Sequence, residues 1–176
     1  MEIVGLSEEK VRKISGIKHE DDWVLDYRLK GYKSFVEQGM PEFGPEINLN
    51  FENVIYYKNN EADKRLENNW NNILKPVVDE LDSVGVLESE KHFGGMGVQY
   101  ESEVIYHNMI EELEKKNVIF TSIEDAIKKY PDLVKKYFGK IVSYTENKFA
   151  ALNSAVFSGG SFIYVPKNTV LDRPLQ

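Results

Sequence analysis

The residue types that could do chemistry are few in this sequence and widely spaced. There are three histidines, His19, His92 and His107, and no cysteine. No two histidines form His-x-x-x-His or His-Glu-x-x-His, the spacings that bring paired imidazoles to one zinc ion. The lack of cysteine excludes a thiolate nucleophile, a cysteine-ligated cluster and a disulfide within this chain. Glu103 and His107 lie four residues apart. On a helix that spacing sets a carboxylate beside an imidazole, a pair able to hold a metal or move a proton. The commoner outcome is a surface contact or a capped core histidine. Gly94-Gly95-Met96-Gly97 superficially resembles a phosphate loop. It lacks the Gly-Lys-Ser/Thr ending and a preceding strand, so it reads as a flexible joint. No Ser, His and Asp fall at the spacing of a nucleophilic triad. Trp23 and Trp70 read as core or interface anchors.

The elements that must position these residues are legible from pattern. Ser7, followed by Glu8 and Glu9, starts a helix, because a hydroxyl caps free N–H groups and acids suit the positive dipole end. Val11 and Ile14 mark its face, and Gly16 stops it. A second helix begins near Asp21 or Asp22 and carries Trp23, Tyr27, Leu29, Tyr32, Phe35 and Val36. Gly39-Met40-Pro41 ends it. Residues 40–60 read as an extended arm with a short strand, since Ile47, Leu49 and Phe51 alternate with polar residues. The polar, Asn-rich stretch 58–72 reads as a mobile loop. Helix returns over 73–83, with Pro76 early in it and Gly85 closing it. A short helix over 88–92 follows.

From 101, Ile105, Met109 and Leu113 recur every four residues and predict a helix ending at Asn117. Val118-Ile119-Phe120 is a short strand. Thr121 and Glu124 have capping-box spacing for a helix continuing through Pro131 to Gly139. Phe149, Leu152 and Val156 mark another helix. Gly159-Gly160 is a turn, and Phe162-Ile163-Tyr164-Val165 predicts a strand covered on both faces. Pro166 to Asn168 forms another turn.

A length of 176 residues fits one domain, or one domain and part of another. Hydrophobic residues at 41% can build a core without disulfides or metal. The net charge of -7 argues against a broad nucleic-acid surface, which needs clustered Lys and Arg. The run Glu111 to Lys116 reads as a solvated helix face. Met1-Glu2-Ile3-Val4-Gly5 has no basic, apolar signal-peptide pattern, and no window approaches the roughly 20 apolar residues of a membrane helix. The expected address is the cytoplasm.

Particular segments resemble the SufB family of iron–sulfur cluster assembly scaffolds. They include Gln99-Tyr100-Glu101-Ser102-Glu103-Val104-Ile105-Tyr106-His107 and Pro131-Asp132-Leu133-Val134-Lys135-Lys136-Tyr137-Phe138-Gly139. The longest runs from Asn147-Lys148-Phe149-Ala150-Ala151-Leu152-Asn153 to Gly159-Gly160-Ser161-Phe162-Ile163-Tyr164-Val165-Pro166-Lys167. Upstream, Leu6-Ser7-Glu8-Glu9, Asp22 to Lys30 and Asn53-Val54-Ile55-Tyr56-Tyr57 are similar too.

The resemblance implies an α+β fold. A mainly helical N-terminal region with the extended arm occupies 1–98. An α+β segment occupies 99–176 and leads into the beginning of a right-handed parallel β-helix core. It implies a scaffold component that is not catalytic by itself, partnered by SufB- or SufD-type subunits, with the ATPase SufC docking on other parts of the family's chain. The family assembles an iron–sulfur cluster. No catalytic, cofactor-binding or metal-binding position of the family lies in the matched segments. A free-standing interaction module with the same helical region is the alternative. The segment 159–176 is expected to be frayed or paired with another chain.

Overall fold

The computed structural model describes residues 1–59 and 67–176. Along the chain run β1 (Glu2–Val4), α1 (Glu8–Ile17), α2 (Asp22–Glu37), β2 (Ile55–Lys58), α3 (Lys75–Ser83) and α4 (Val86–Ser89). Then come β3 (Gly95–Tyr100), β4 (Glu103–Met109), α5 (Glu111–Lys115), β5 (Ile119–Ser122), α6 (Ile123–Lys129), α7 (Pro131–Tyr137), α8 (Lys148–Val156) and β6 (Ser161–Tyr164). Short 3-10 turns cover Phe51–Asn53, Trp70–Asn72 and Glu90–His92. The fold is α+β, and the described strands pair in antiparallel twos: β1 with β2, β3 with β4, β5 with β6. Among the described residues no helix is long and apolar enough to cross a membrane.

The chain divides into two compact units, each built from two separate segments. Met1–Lys58 and Pro131–Ser158 form the first; Asn59–Tyr130 and Gly159–Gln176 form the second. The boundary expected between residues 98 and 99 falls within β3.

In the first unit Ser7 caps α1 as the sequence places it, and Asn147 caps α8. Ser7 Oγ accepts the Lys10 N–H, and Asn147 Oδ1 accepts those of Phe149 and Ala150. Side-chain oxygens thus satisfy N–H groups that have no partner inside the helix. Leu6, Val11 and Phe35 pack with Ala151 and Ala155 of α8. The small residues let two backbones approach closely. A Cβ on Gly31 would lie 2.8 Å from the Ala155 nitrogen and 3.0 Å from the Ala151 carbonyl oxygen.

Beside this contact Arg28 is wholly buried. Its Nε and Nη2 donate to the two carboxylate oxygens of Glu20, at 2.7 and 2.5 Å. Nη1 donates to the Ala155 carbonyl at 3.2 Å, and Nη2 to that of Phe157 at 2.9 Å. Those carbonyls belong to the end of α8, where helical acceptors run out of partners and a positive charge meets the negative dipole end. The guanidinium also lies 3.8 Å from the Phe157 ring centroid.

In the second unit three expectations are corrected. The segment from 101 to 109 is strand β4, and only Glu111–Lys115 is helical. A four-residue spacing is a multiple of the strand period, so Ile105 and Met109 fit both patterns. The β-branched and aromatic run Val104-Ile105-Tyr106 favours the strand, and Glu101 at φ 54° turns the chain between β3 and β4. Gly94–Gly97 is likewise no flexible joint. Gly95 starts β3, and a Cβ there would lie 2.6 Å from the Phe120 ring. The capping residue of α6 is Ser122, whose Oγ accepts the Asp125 N–H at 3.1 Å. Thr121 stays in β5, opposite Phe162.

The C-terminal stretch also departs from expectation, since it pairs within the chain. β6 lies along β5 from Ile119↔Tyr164 to Ser122↔Ser161. Gly94 and Gly97 N–H groups donate to the Pro174 and Gln176 carbonyls, and Gln176 N–H returns a bond to Gly95. Ile163 remains 50% exposed, so the strand is not covered on both faces. Of the stretch 58–72, residues 60–66 lie outside the described residues. Glu67 forms a bridge to Tyr106, and Trp70–Asn72 is a short 3-10 turn.

Gly31→Ala should push α2 from α8 and cost about 1–3 kcal/mol, as overpacking does. Arg28→Ala leaves a buried carboxylate unpaired and should cost about 3–5 kcal/mol. Urea unfolding of both variants measures this, and unchanged midpoints would contradict the packing.

Candidate functional site

The residues singled out for chemistry do not converge. His19 is exposed just beyond α1, and His92 is exposed in the turn Glu90–His92. His107 sits on β4, its ring edge-on to Phe120 at 4.3 Å. Glu103 and His107 share a strand, where a four-residue separation spans about 13 Å; the helical pairing is therefore lost. No group of three or more His, Cys, Asp or Glu side chains is placed to hold a metal ion among the described residues. The N–H groups of Gly94 and Gly97 are taken by the C-terminal carbonyls, so they form no phosphate cradle.

His107 Nε2 is buried without a hydrogen-bond partner among the described residues. Burial holds the imidazole below its ordinary value of 6.5; nearby Asp125 opposes this and Lys129 adds to it. The ring is thus held neutral by a desolvated setting.

The polar groups that do assemble are Trp70, Glu90, Tyr106 and Asn108, all in the second unit. Trp70 opens a turn capped by Asn69, and Glu90 opens the turn after α4. Tyr106 and Asn108 are two apart on β4, the spacing that sends side chains to one face. The Trp70 indole stacks on the Tyr106 ring at 3.8 Å and 15°. Its Nε1 donates to Glu90 Oε2 at 2.7 Å, while Asn108 Nδ2, at 3.2 Å, and the Tyr106 hydroxyl donate to Oε1.

Burial alone would raise the Glu90 carboxyl, but the three donors outweigh it and hold it below the ordinary 4.5. Burial first, and then the Glu90 contact, raise the Tyr106 phenol far above its usual range. The carboxylate therefore stays charged and the phenol stays protonated near neutrality. Neither is poised for proton transfer.

Glu90 and Asn108 line one side of a cavity of about 310 Å³, with Leu87, Phe93, Met96 and Arg173 among its other walls. Arg173 is held there by donating to the Lys91 carbonyl at 3.3 Å. Its lining mixes apolar side chains with the polar and charged groups of Glu90, Lys91, Asn108 and Arg173, a combination that can orient a bound group. Sequence reasoning missed Glu90 and Asn108. The available signal was the strand character of Val104-Ile105-Tyr106, which sets Tyr106 and Asn108 side by side.

The fold and this interlocked cluster define an α+β chain whose assembled polar groups brace a cavity. The chain belongs to the SufBD family: the family described as the SufBD protein N-terminal region matches residues 10–176. It is 47% identical over 174 residues to an iron–sulfur cluster assembly SufBD family protein of Staphylococcus aureus. It is 46% identical over the same length to one of Staphylococcus haemolyticus. Both alignments cover 98% of this chain and 37% of the relative. The chain thus spans little more than a third of the length of these curated relatives.

The two depressed values set a pH dependence. The fold favours neutral His107, so its contribution is complete above about 6.5 and is lost as pH falls through the lower folded value. The fold favours ionised Glu90, so its contribution is complete above about 4.5 and is lost as pH falls further. Urea unfolding across this range should show both losses. His107→Leu should remove the first and keep the second.

Proposed function

We propose that this chain serves iron–sulfur cluster assembly as a SufB-like scaffold component and is not catalytic by itself. The observation that carries this reading is the family match over residues 10–176, joined by relatives named for that assembly. The cluster is cargo in such a system. A chain with no cysteine offers no thiolate to hold it, which supports a supporting rather than a ligating role. Partner subunits of SufB or SufD type in the cytoplasm fit the reading, with SufC engaging other parts of the assembly. A free-standing interaction module is the second reading, favoured by the exposed apolar side chains Phe43, Ile47 and Leu49.

Anaerobic reconstitution followed by gel filtration tests the first claim. The chain alone should retain no stoichiometric iron–sulfur absorption. Titration with purified subunits tests the second: a SufD-type subunit should bind saturably and SufC should not. A retained cluster overturns the supporting, non-ligating role. Saturable SufC binding overturns the partner assignment.

A further inference from the structure

Residues 39–50 of the first unit form an irregular segment, bent over 42–45, with a distinctive chemistry. Met40, Phe43, Ile47 and Leu49 are exposed, Phe43 at 67%. Pro41 and Pro45 and the positive φ of Gly44 keep the segment out of helix. Among the described residues no backbone–backbone hydrogen bond is made by 39–49. The segment therefore offers both side chains and backbone groups to another surface.

Its ends are nevertheless fixed. Gln38 donates through its N–H to the Ser34 carbonyl and through Nε2 to that of Tyr144, and Lys148 Nζ donates to the Gln38 carbonyl at 2.7 Å. At the far end the Phe51 ring meets Phe35 edge-on at 5.1 Å. Asn50 Oδ1 accepts the Glu52 N–H, and the Phe51 carbonyl accepts the Tyr56 hydroxyl. A segment pinned at both ends loses less freedom on binding than a loose one.

Charge selects the kind of partner. Glu42 and Glu46 lie within the segment, and no Lys or Arg occurs between Gly39 and Tyr57. Neither glutamate has an ion-pair partner among the described residues. Anionic lipid and nucleic acid are repelled by such a surface, and a second copy of a chain with net charge -7 is disfavoured in the same way. We infer that residues 39–50 are a docking element for a protein surface that pairs an apolar cleft with a rim of Lys and Arg. The apolar side chains fill the cleft. The glutamates set orientation and discriminate against anionic surfaces.

Photo-cross-linking of the full-length gene product in its own host tests this, with p-benzoylphenylalanine replacing Phe43 and, as a control, exposed Val84. Support is one discrete protein adduct specific to position 43, mapped to a peptide bearing Lys or Arg beside apolar residues. It must disappear with Glu42→Lys plus Glu46→Lys, while the urea midpoint of that double variant is unchanged. Four outcomes overturn the inference: an adduct within the same chain, an adduct between copies, a lipid or nucleic-acid adduct, or none above the control. An adduct that survives charge reversal overturns it too.

Discussion

The first unit depends on one buried cation. Arg28 lies on α2, yet its acceptors include carbonyls at Ala155 and Phe157, more than a hundred residues further along. Removing a guanidinium from water costs several kcal/mol, and it is tolerable only when the charge is matched and the donors are used. Glu20 matches the charge, and four hydrogen bonds use the donors. That arrangement exists only when α2, the turn before it and the end of α8 are all in place. The close approach at Gly31 imposes the same condition sterically. Charge satisfaction and backbone contact are therefore met together or not at all, which favours a single packing.

The second unit has an analogous node of a different kind. Glu90 is less buried and accepts from three side chains that arrive from one turn and one strand. The stack of Trp70 on Tyr106 gives the node an apolar flank. Where Arg28 satisfies the carbonyls of a helix end, Glu90 collects side-chain donors. Each node joins elements that local propensity alone leaves free. The glycines serve the same end: at Gly31 and Gly95 the absent Cβ is what permits contact, with Ala155 and Phe120 respectively.

Membership of the SufBD family places this architecture among proteins named for iron–sulfur cluster assembly. Within the described residues the polar groups that assemble, Arg28 with Glu20 and Glu90 with its three donors, hold structure. Apolar side chains stand exposed elsewhere, as at Phe43, Ile47 and Leu49.

The sequence by itself determined the local features. Ser7 and Asn147 cap because side-chain oxygens reach N–H groups two or three residues on. The helices at 8–17, 22–37 and 148–156 follow from apolar periodicity. The strand at 119–122 follows from residue type, as does the turn at Gly159-Gly160, where both glycines have positive φ. Tertiary structure decided what those rules leave degenerate. Ile105 and Met109 satisfy helix and strand periods alike, and pairing with β3 chose the strand. Thr121 and Ser122 could each cap α6, and the β6 register kept Thr121 in the sheet. Glu90, Tyr106 and Asn108 became a cluster only because a turn and a strand met. Arg28 found its acceptors only when α8 returned from the far end of the chain. Local chemistry is encoded within a few residues; a buried charge and its partners are chosen by a contact that no short window of sequence contains.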